Sequence, residues 1–346
     1  MKVLGLGHVL SESRRLVDVD HPNTMQLEAI RLAGYDKYWV NAGGARVMGA
    51  QAVAKALKES GYGVDDIGLI VAGQSSIPDF IGIDFACQVG AELGGLQVRT
   101  VNLVEGCGTS ISAWLIASSL IDSLKEGQVG VIVLAQRVSE SHLDRFGLMN
   151  AILSDGAAAA VVTKSDALSA GWGFIYKGGQ DISHTRFVDM MRLERGGGIQ
   201  PVLLPDHDSR EDPLGRDKIM ELYRFSASDL GDFLKLRVDT TIRLIESSIA
   251  DAGWAKGEDF ILLHTLEGRQ SIASLATRLG ITVDRTNAAL VPEIGHMGCV
   301  DQLVSLDIMR QVGKFQAGDR IVMSAIATGM KWGCCLFECE QPGSFS

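Results

Sequence analysis

The sequence predicts an α/β protein built from two similar βαβ halves. Three observations support this prediction: the chain has 346 residues, 46% of them are hydrophobic, and short apolar runs alternate with amphipathic segments in both halves. Apolar strands that alternate with helices are typical of a mainly parallel sheet covered by helices on both faces.

The first half contains five predicted strands and three predicted helices. The strands are short runs rich in Val, Ile, Leu and Ala, whereas the helices carry apolar residues three to four positions apart. Gly61 ends the first predicted helix, because glycine readily adopts the left-handed conformation of a helix C-terminus. The strands are expected over residues 3–9, 67–72, 98–104, 129–135 and 157–162, and the helices over residues 45–60, 85–93 and 111–124.

The second half repeats this rhythm of helices and strands. Because the order matches, we expect two similar halves packed together, with a crevice at the carboxyl ends of their strands. Helices are predicted over residues 230–252, 270–279 and 298–311, and strands over residues 260–263, 320–325 and 333–338.

These patterns divide the chain into four segments. Residues 1–177 form the first half and residues 226–340 the second. Residues 178–225, rich in Gly, Pro, Asp and Arg, are interpreted as a cap inserted over the crevice. Residues 341–346 are interpreted as a loose tail.

Composition excludes several classes of protein. The formal net charge of −10 argues against a nucleic-acid-binding surface, which needs clustered Lys and Arg. The six cysteines form no Cys-x-x-Cys pair, so the sequence indicates neither a disulfide framework nor a metal site. No signal peptide and no membrane-spanning run is recognised, so we expect a cytoplasmic protein that does not bind membranes.

Cys107 is the candidate nucleophile. It lies between a predicted buried strand and a predicted helix, in the motif Val-Glu-Gly-Cys-Gly-Thr-Ser. Unpaired backbone N–H groups and the helix dipole at such a junction favour thiolate over thiol. His264 and His296 each follow an apolar run in the second half, as expected of a base that meets this thiol at the crevice.

Together these residues resemble the thiolase superfamily and, within it, the ketoacyl-ACP synthase III group. The resemblance covers most of the chain and implies a thiolase-like fold, with the two halves stacked as a layered α-β-α-β-α domain. It rests on Pro78-Asp79, on Cys107 ahead of its helix, on Ser154-Asp155-Gly156-Ala157, on His264 through Arg269, on Gly295-His296, and on Gly329-Met330-Lys331-Trp332-Gly333.

The resemblance implies a role for Cys107. In this group the cysteine takes an acyl group from an acyl-CoA or acyl-carrier-protein thioester, and the backbone N–H groups of Cys107 and Thr328 would form the oxyanion hole. No permanently bound cofactor is implied, because the phosphopantetheine of CoA or of the carrier protein arrives with the substrate.

The histidines leave two interpretations open. His264 matches the first active-site histidine of the group, but His296 stands where the group usually has Asn. In one interpretation His296 is the base for Cys107 and Asp301 orients its imidazole, as in a branch of the group that transfers acyl groups in antibiotic and polyketide pathways. In the other, Cys107, His264 and His296 form a decarboxylating Cys-His-His set. If the thiol is to be deprotonated at physiological pH, both imidazoles are expected to be neutral.

The implied partners follow from the same resemblance. Arg269 is the strongest candidate for contacting the acyl carrier protein or CoA, and Trp39 and Arg46 match the CoA-binding Trp and Arg of the group only loosely. The resemblance also implies a homodimer formed through the sheet edge of the first half.

Three functions follow from the sequence. The leading one is an acyltransferase of polyketide, antibiotic or other fatty-acid-derived metabolism that passes the acyl group from Cys107 to a small-molecule thiol, hydroxyl or amine. The alternatives are a β-ketoacyl synthase that condenses the acyl group with malonyl-ACP or malonyl-CoA, and a non-catalytic subunit of a heterodimer.

Overall fold

The structure is a computed structural model that describes residues 1–75, 77–148, 150–164, 173–201, 208, 210, 212, 215–255, 257–327 and 329–341. Its strands are β1 (Lys2–Val9), β2 (Glu12–Arg15), β3 (Lys37–Val40), β4 (Ile67–Gln74), β5 (Arg99–Leu103), β6 (Val129–Gln136), β7 (Gly156–Thr163), β8 (Gly173–Ser183), β9 (Ile261–His264), β10 (Arg320–Ala327) and β11 (Lys331–Gln341). Its helices are α1 (Thr24–Leu32), α2 (Ala45–Ser60), α3 (Phe85–Glu92), α4 (Thr109–Leu120), α5 (Gly215–Tyr223), α6 (Ala227–Asp251), α7 (Arg269–Leu279), α8 (Val291–Ile294) and α9 (Asp301–Gln311).

Nine strands form one mixed sheet in the order β5-β4-β6-β7-β1-β8-β11-β10-β9. When the five first-half strands of this sheet are numbered along the chain, leaving out β2 and β3, their order across the sheet is third, second, fourth, fifth, first. The second half has the same order in mirror image, because a bridge between Leu262 and Thr286 supplies its third position next to β9. The halves meet where Lys2 and Val3 of β1 pair with β8. The predicted two similar halves are therefore confirmed.

The prediction of a mainly parallel sheet is wrong. Only the pairs β4–β5, β4–β6 and β9–β10 are parallel, and the other five are antiparallel. The physical reason lies in the connections. Three residues separate β10 from β11, and so short a turn can join only antiparallel strands, since a parallel crossover needs a dozen residues or more.

Helices cover the sheet in layers. Helix α4 contacts β4 and β6 of the first half and β8, β10 and β11 of the second, whereas α9 contacts β1, β7, β9 and β10. These two helices therefore form the central layer, with α2 and α3 outside the first half and α6 outside the second. The predicted α-β-α-β-α layering is confirmed.

Helix α4 can occupy the centre because it carries no charged side chain and its apolar residues lie on all sides. Trp114 and Ile111 are fully buried, and Trp114 packs edge to face on Phe337 of β11. A helix that is hydrophobic around its whole circumference must be buried on all sides. This burial fixes the start of α4, and with it Cys107, against strands of both halves.

Most predicted elements coincide with observed ones, but six were missed. These are the strands β2, β3 and β8 and the helices α1, α5 and α8, most of which are short or carry mixed and polar sequence. Strand β8 runs across the predicted boundary between residues 177 and 178, so the segment interpreted as a cap begins inside a strand. Of the predicted tail, Gln341 closes β11, and residues 342–346 lie outside the described residues.

The described part of the cap packs on the second half. Phe187, Met190 and Ile219 are buried in a cluster with Phe233 of α6 and Trp332 of β11. The cap is therefore held over the ends of β10 and β11 by apolar contacts. Among the described residues, no helix is long and apolar enough to cross a membrane.

Candidate active site

Cys107 lies in a tight turn between β5 and α4. Gly106, the residue before it, has φ of 56°, a left-handed conformation that favours glycine. The Thr109 hydroxyl donates to the Gly106 carbonyl at 2.8 Å and accepts from the Glu105 N–H at 2.9 Å. This local network fixes the turn, so the thiol stands at the N-terminus of α4 as the sequence predicts.

The structure brings Cys107, His296 and Asp301 into one hydrogen-bonded line. The Cys107 Sγ lies 3.3 Å from His296 Nε2, and His296 Nδ1 donates to Asp301 Oδ2 at 2.6 Å. The same carboxylate accepts the Leu266 N–H at 2.7 Å and the Met297 N–H at 2.6 Å, and it is fully buried. Asp301 is therefore fixed on three sides and holds the imidazole in one orientation.

The protonation of His296 differs from our expectation. Burial alone lowers the pKa of His296, but the Asp301 carboxylate and the Cys107 sulfur outweigh burial and raise that pKa well above its ordinary value. The raised pKa favours the protonated imidazole, whereas we expected a neutral one.

Contacts from the first half hold the loop that carries His296. Gln136 Nε2 donates to the His296 carbonyl at 3.2 Å and to the Ser154 carbonyl at 3.1 Å. The Ser75 hydroxyl donates to Gln136 Oε1 at 2.5 Å and accepts the Cys299 N–H at 3.1 Å. These polar contacts connect the loop of His296, in the second half, to strands of the half that carries Cys107.

His264 lies apart from this line. Its Nδ1 is 2.6 Å from the Ser324 hydroxyl, and its backbone is clamped by Asn287, which accepts from the His264 N–H and donates to its carbonyl. Burial lowers the pKa of His264 below its ordinary value, so this imidazole is neutral, as expected. No hydrogen bond joins His264 to Cys107 or His296.

Cys107 and His296 open into a cavity of about 430 Å³. Its walls are mostly apolar, and the cap contributes to them. Such a volume is within the range of pockets for small molecules. The apolar lining includes Leu148, Ala151, Met190, Met191, Ile219, Leu230, Phe233, Ile326, Ala327 and Met330, and the polar lining includes Asn150, Arg216, Arg237, Thr265, Glu267 and Ser271.

An adjoining cavity of about 360 Å³ contains His264. The two cavities share Arg237, Glu267 and Ser271, together with Leu234 and Ile326. Sequence reasoning missed Arg237 and Glu267 as site residues. Glu267 lies within the motif from His264 through Arg269 that carries the resemblance, whereas nothing in α6 marked Arg237 among its other charges.

The three residues predicted to contact CoA or the carrier protein lie outside both cavities. Arg269 begins α7, and its exposed guanidinium makes no ion pair with any described residue. Trp39 donates its indole N–H to the Glu293 carbonyl at 3.0 Å, and Arg46 forms an ion pair with Glu92. Thr328, the second predicted oxyanion donor, lies outside the described residues.

Glu105 is tied to the far side of the nucleophile turn. Lys331 Nζ lies 2.5 Å from Glu105 Oε2, 2.7 Å from Asp181 Oδ2 and 2.9 Å from the Ser112 hydroxyl. Burial alone lowers the pKa of Lys331, but the two carboxylates outweigh it and raise that pKa. The charge of Glu105 is thus compensated two residues from the sulfur.

Within the described part of the chain, no group of three or more His, Cys, Asp or Glu residues is arranged to hold a metal ion.

Known proteins share this architecture. Residues 249–339 match the family described as 3-oxoacyl-[acyl-carrier-protein (ACP)] synthase III C terminal. The β-ketoacyl-[acyl-carrier-protein] synthase III of Chlamydia caviae is 25% identical over 298 residues, which cover 85% of this chain and 82% of that protein.

Two solved structures agree over nearly the whole length. The acyltransferase ChlB3 superposes with a TM-score of 0.83 at 20% identity and covers 99% of both chains. The 3-oxoacyl-[acyl-carrier-protein] synthase III of Aquifex aeolicus superposes with a TM-score of 0.76 at 21% identity, covering 97% of this chain and 99% of that one.

The paired halves and the match to these structures define a protein of the thiolase fold. The family match over residues 249–339 and the 25% identity to the Chlamydia caviae protein make this chain similar in sequence to ketoacyl-ACP synthases III.

Proposed function

We propose that this protein is an acyltransferase in which Cys107 takes an acyl group from an acyl-CoA or acyl-carrier-protein thioester and passes it to an acceptor. The single observation that carries the proposal is the line from Cys107 Sγ through His296 to Asp301, with links of 3.3 and 2.6 Å. A base that holds its proton on Nδ1 presents Nε2 to the reacting atom, which is the arrangement of acyl-transfer triads.

The first half-reaction uses the charged form of the pair. The Cys107 thiolate attacks the thioester carbonyl, and the N–H of Cys107 and the turn containing Thr328 are proposed to stabilise the oxyanion. When the tetrahedral intermediate collapses, the His296 imidazolium gives its proton to the departing thiol. His296 is then neutral and can take a proton from the acceptor in the second half-reaction.

Decarboxylative condensation is the second candidate. The relatives named as ketoacyl synthases favour it, and so does the neutral His264 next to the reactive cavity. The geometry favours simple transfer, because the hydrogen bond from His296 to Asp301 orients Nε2 of His296 towards the Cys107 sulfur, and the imidazole of His264 is hydrogen-bonded to Ser324.

One experiment separates these functions. The protein is incubated with acetyl, butyryl, octanoyl and malonyl thioesters of CoA and of a carrier protein, and intact protein and products are weighed by mass spectrometry. We expect an acyl adduct that is absent from Cys107→Ala, without release of CO2. A condensed product that has lost CO2 supports the second candidate instead. Absence of any adduct refutes the acyltransferase and supports a non-catalytic partner subunit.

We also propose that two copies associate through β5. Among the described strands, β5 pairs only with β4, and Val104 beside it is exposed. Phe80, Ile81 and Ile83 are exposed in the segment before α3, which approaches β5 where the Phe85 N–H donates to Asn102 Oδ1. An unpaired strand edge flanked by apolar side chains is suited to pairing with a second copy. Light scattering should show a dimer that Ile81→Asp weakens; a monomeric wild-type protein would contradict this.

A further inference from the structure

The wall shared by the two cavities contains a partly buried ion pair. Glu267 follows β9, Arg237 lies in α6, and Glu267 Oε2 accepts a hydrogen bond from Arg237 at 2.7 Å. The two side chains are 12% and 24% exposed. Both line the cavity of Cys107 and His296, and both also line the cavity of His264.

This pair is only half satisfied. Glu267 Oε1 and Arg237 Nε are both buried, and neither makes a hydrogen bond to any described residue. Burial alone raises the pKa of Glu267, but Arg237 outweighs burial and lowers it, so the carboxylate is charged at neutral pH. A buried charged oxygen without a donor is costly, so native proteins rarely leave one without a hydrogen-bond partner.

We propose that Glu267 and Arg237 bind the acyl acceptor and that this acceptor is a neutral alcohol. The inference rests on the proposed acyltransferase function and names its second substrate. Glu267 Oε1 accepts a hydrogen bond from a hydroxyl group, and Arg237 Nε donates to a hydroxyl oxygen, so a small diol or polyol satisfies both atoms.

The charge and chemistry of the pair disfavour the other acceptors. Because Glu267 and Arg237 together carry no net charge, an ammonium group gains little from the carboxylate and meets the guanidinium. A thiol is a weak hydrogen-bond donor and satisfies Oε1 poorly. The remaining lining is mostly apolar, with Asn150, Arg216, Thr265 and Ser271 as further polar residues, and suits an uncharged acceptor with a hydrocarbon body.

In the proposed transfer step, Cys107 and His296 account for every bond and proton that changes. The hydroxyl oxygen attacks the acyl carbon of the Cys107 thioester while its proton passes to neutral His296. The carbon–sulfur bond then breaks, and the electron pair returns to the Cys107 sulfur beside the imidazolium. The products are an ester and the original thiolate–imidazolium pair.

The test compares acceptors of one size. Protein carrying an acyl group on Cys107 is mixed with cyclohexane-1,3-diol, cyclohexanol, cyclohexylamine or cyclohexanethiol, and esters, amides, thioesters and free acid are quantified. We expect ester from the diol to dominate. For Glu267→Gln, the ratio of ester to free acid should fall at least tenfold, because this ratio does not depend on how fast Cys107 was loaded. A dominant amide or thioester overturns the inference, and so does an unchanged ratio.

Controls separate binding from folding. Glu246→Gln changes an exposed acid of the same helix as Arg237 and should alter the ratio less than twofold. Because Glu267→Gln leaves a buried guanidinium without its partner, the double variant Arg237→Gln/Glu267→Gln is measured as well, with thermal unfolding of each variant. The double variant should unfold like the wild type and still lose ester formation.

Direct binding keeps this inference distinct from the proposed function. Saturation-transfer NMR of cyclohexane-1,3-diol with the unacylated protein should show a signal that Glu267→Gln abolishes and Glu246→Gln retains. If no donor acylates Cys107, the acyltransferase proposal fails, whereas this measurement still decides whether the pair is a hydroxyl-binding site. Absence of diol binding to the wild-type protein overturns it.

Discussion

Replacing Asp301 with Asn should disable the candidate triad while leaving the fold nearly intact. The carboxylate accepts three N–H groups, from His296, Leu266 and Met297, at 2.6 to 2.7 Å. An amide has one acceptor oxygen and an NH2 group that must face at least one of those donors. The favourable response is for the imidazole to move its proton to Nε2, which removes the base from the sulfur.

The size of the effect follows from two terms. The lost attraction between carboxylate and imidazolium at about 4 Å is ~4 kcal/mol for an effective dielectric constant of about 20, or roughly a thousandfold in rate. The wrong tautomer in comparable triads lowers turnover by about 10⁴-fold. We therefore expect acylation of Cys107 by an acyl thioester to slow by about 10³- to 10⁴-fold, measured by intact mass in single-turnover experiments.

The same helix offers a matched control. Asp307 also accepts from a histidine at 2.6 Å, in this case His8, and is equally buried, but its pair lies away from the cavity of Cys107. Asp307→Asn should therefore cost similar stability and change acylation less than threefold. If Asp301→Asn acylates within tenfold of the wild type, Asp301 is merely a structural acid at the start of α9, and the triad is refuted.

Three further predictions test other parts of the site. A Cβ on Gly298, whose φ is 56°, would overlap Ser75 and Gln136, so Gly298→Ala should lower the free energy of unfolding by about 2–4 kcal/mol in urea titrations; an unchanged midpoint would exclude this packing. The pKa of His296 is raised in the folded protein, so the stabilisation from its protonated form is complete below about pH 6.5 and is lost as the pH rises through the folded-state pKa. The difference in free energy of unfolding between wild type and His296→Gln should therefore shrink above pH 7. A difference that stays constant with pH would contradict the raised pKa. Lys331→Met should slow alkylation of Cys107 by iodoacetamide about tenfold, because Glu105 and Asp181 lose their cation, whereas Lys331→Arg should not; equal rates would show that this ion cluster does not influence the thiol.

Much of the fold could be predicted because its signals are local. The runs that became β4, β6 and β7 are continuous and apolar since these strands are buried on both faces, and Gly61 marks the end of α2 through its left-handed conformation. Strand β8 was not predicted because most of it is half-buried or exposed and three of its residues are glycine. Strand direction escaped because it depends on connections that periodicity does not reveal.

Part of the candidate site could likewise be predicted from the sequence, and part could not. Cys107, His296 and Asp301 stand in short motifs with fixed spacing, so sequence reasoning could propose them together. Arg237 meets Glu267 across 30 positions, and Gln136 reaches His296 across 160, so their partners exist only in the folded chain. The protonation of His296 likewise depends on the balance between burial and two nearby groups, which only distances can decide.

The sulfur and the ring that activates it come from different halves, 189 positions apart along the chain. A polypeptide leaving the ribosome therefore completes its first lobe long before it can react with an acyl thioester. Until the second lobe docks, Cys107 lacks its imidazole partner and its apolar chamber. Cys107 therefore becomes reactive only after both halves have folded and docked. A truncated or half-folded copy should not be acylated by thioesters.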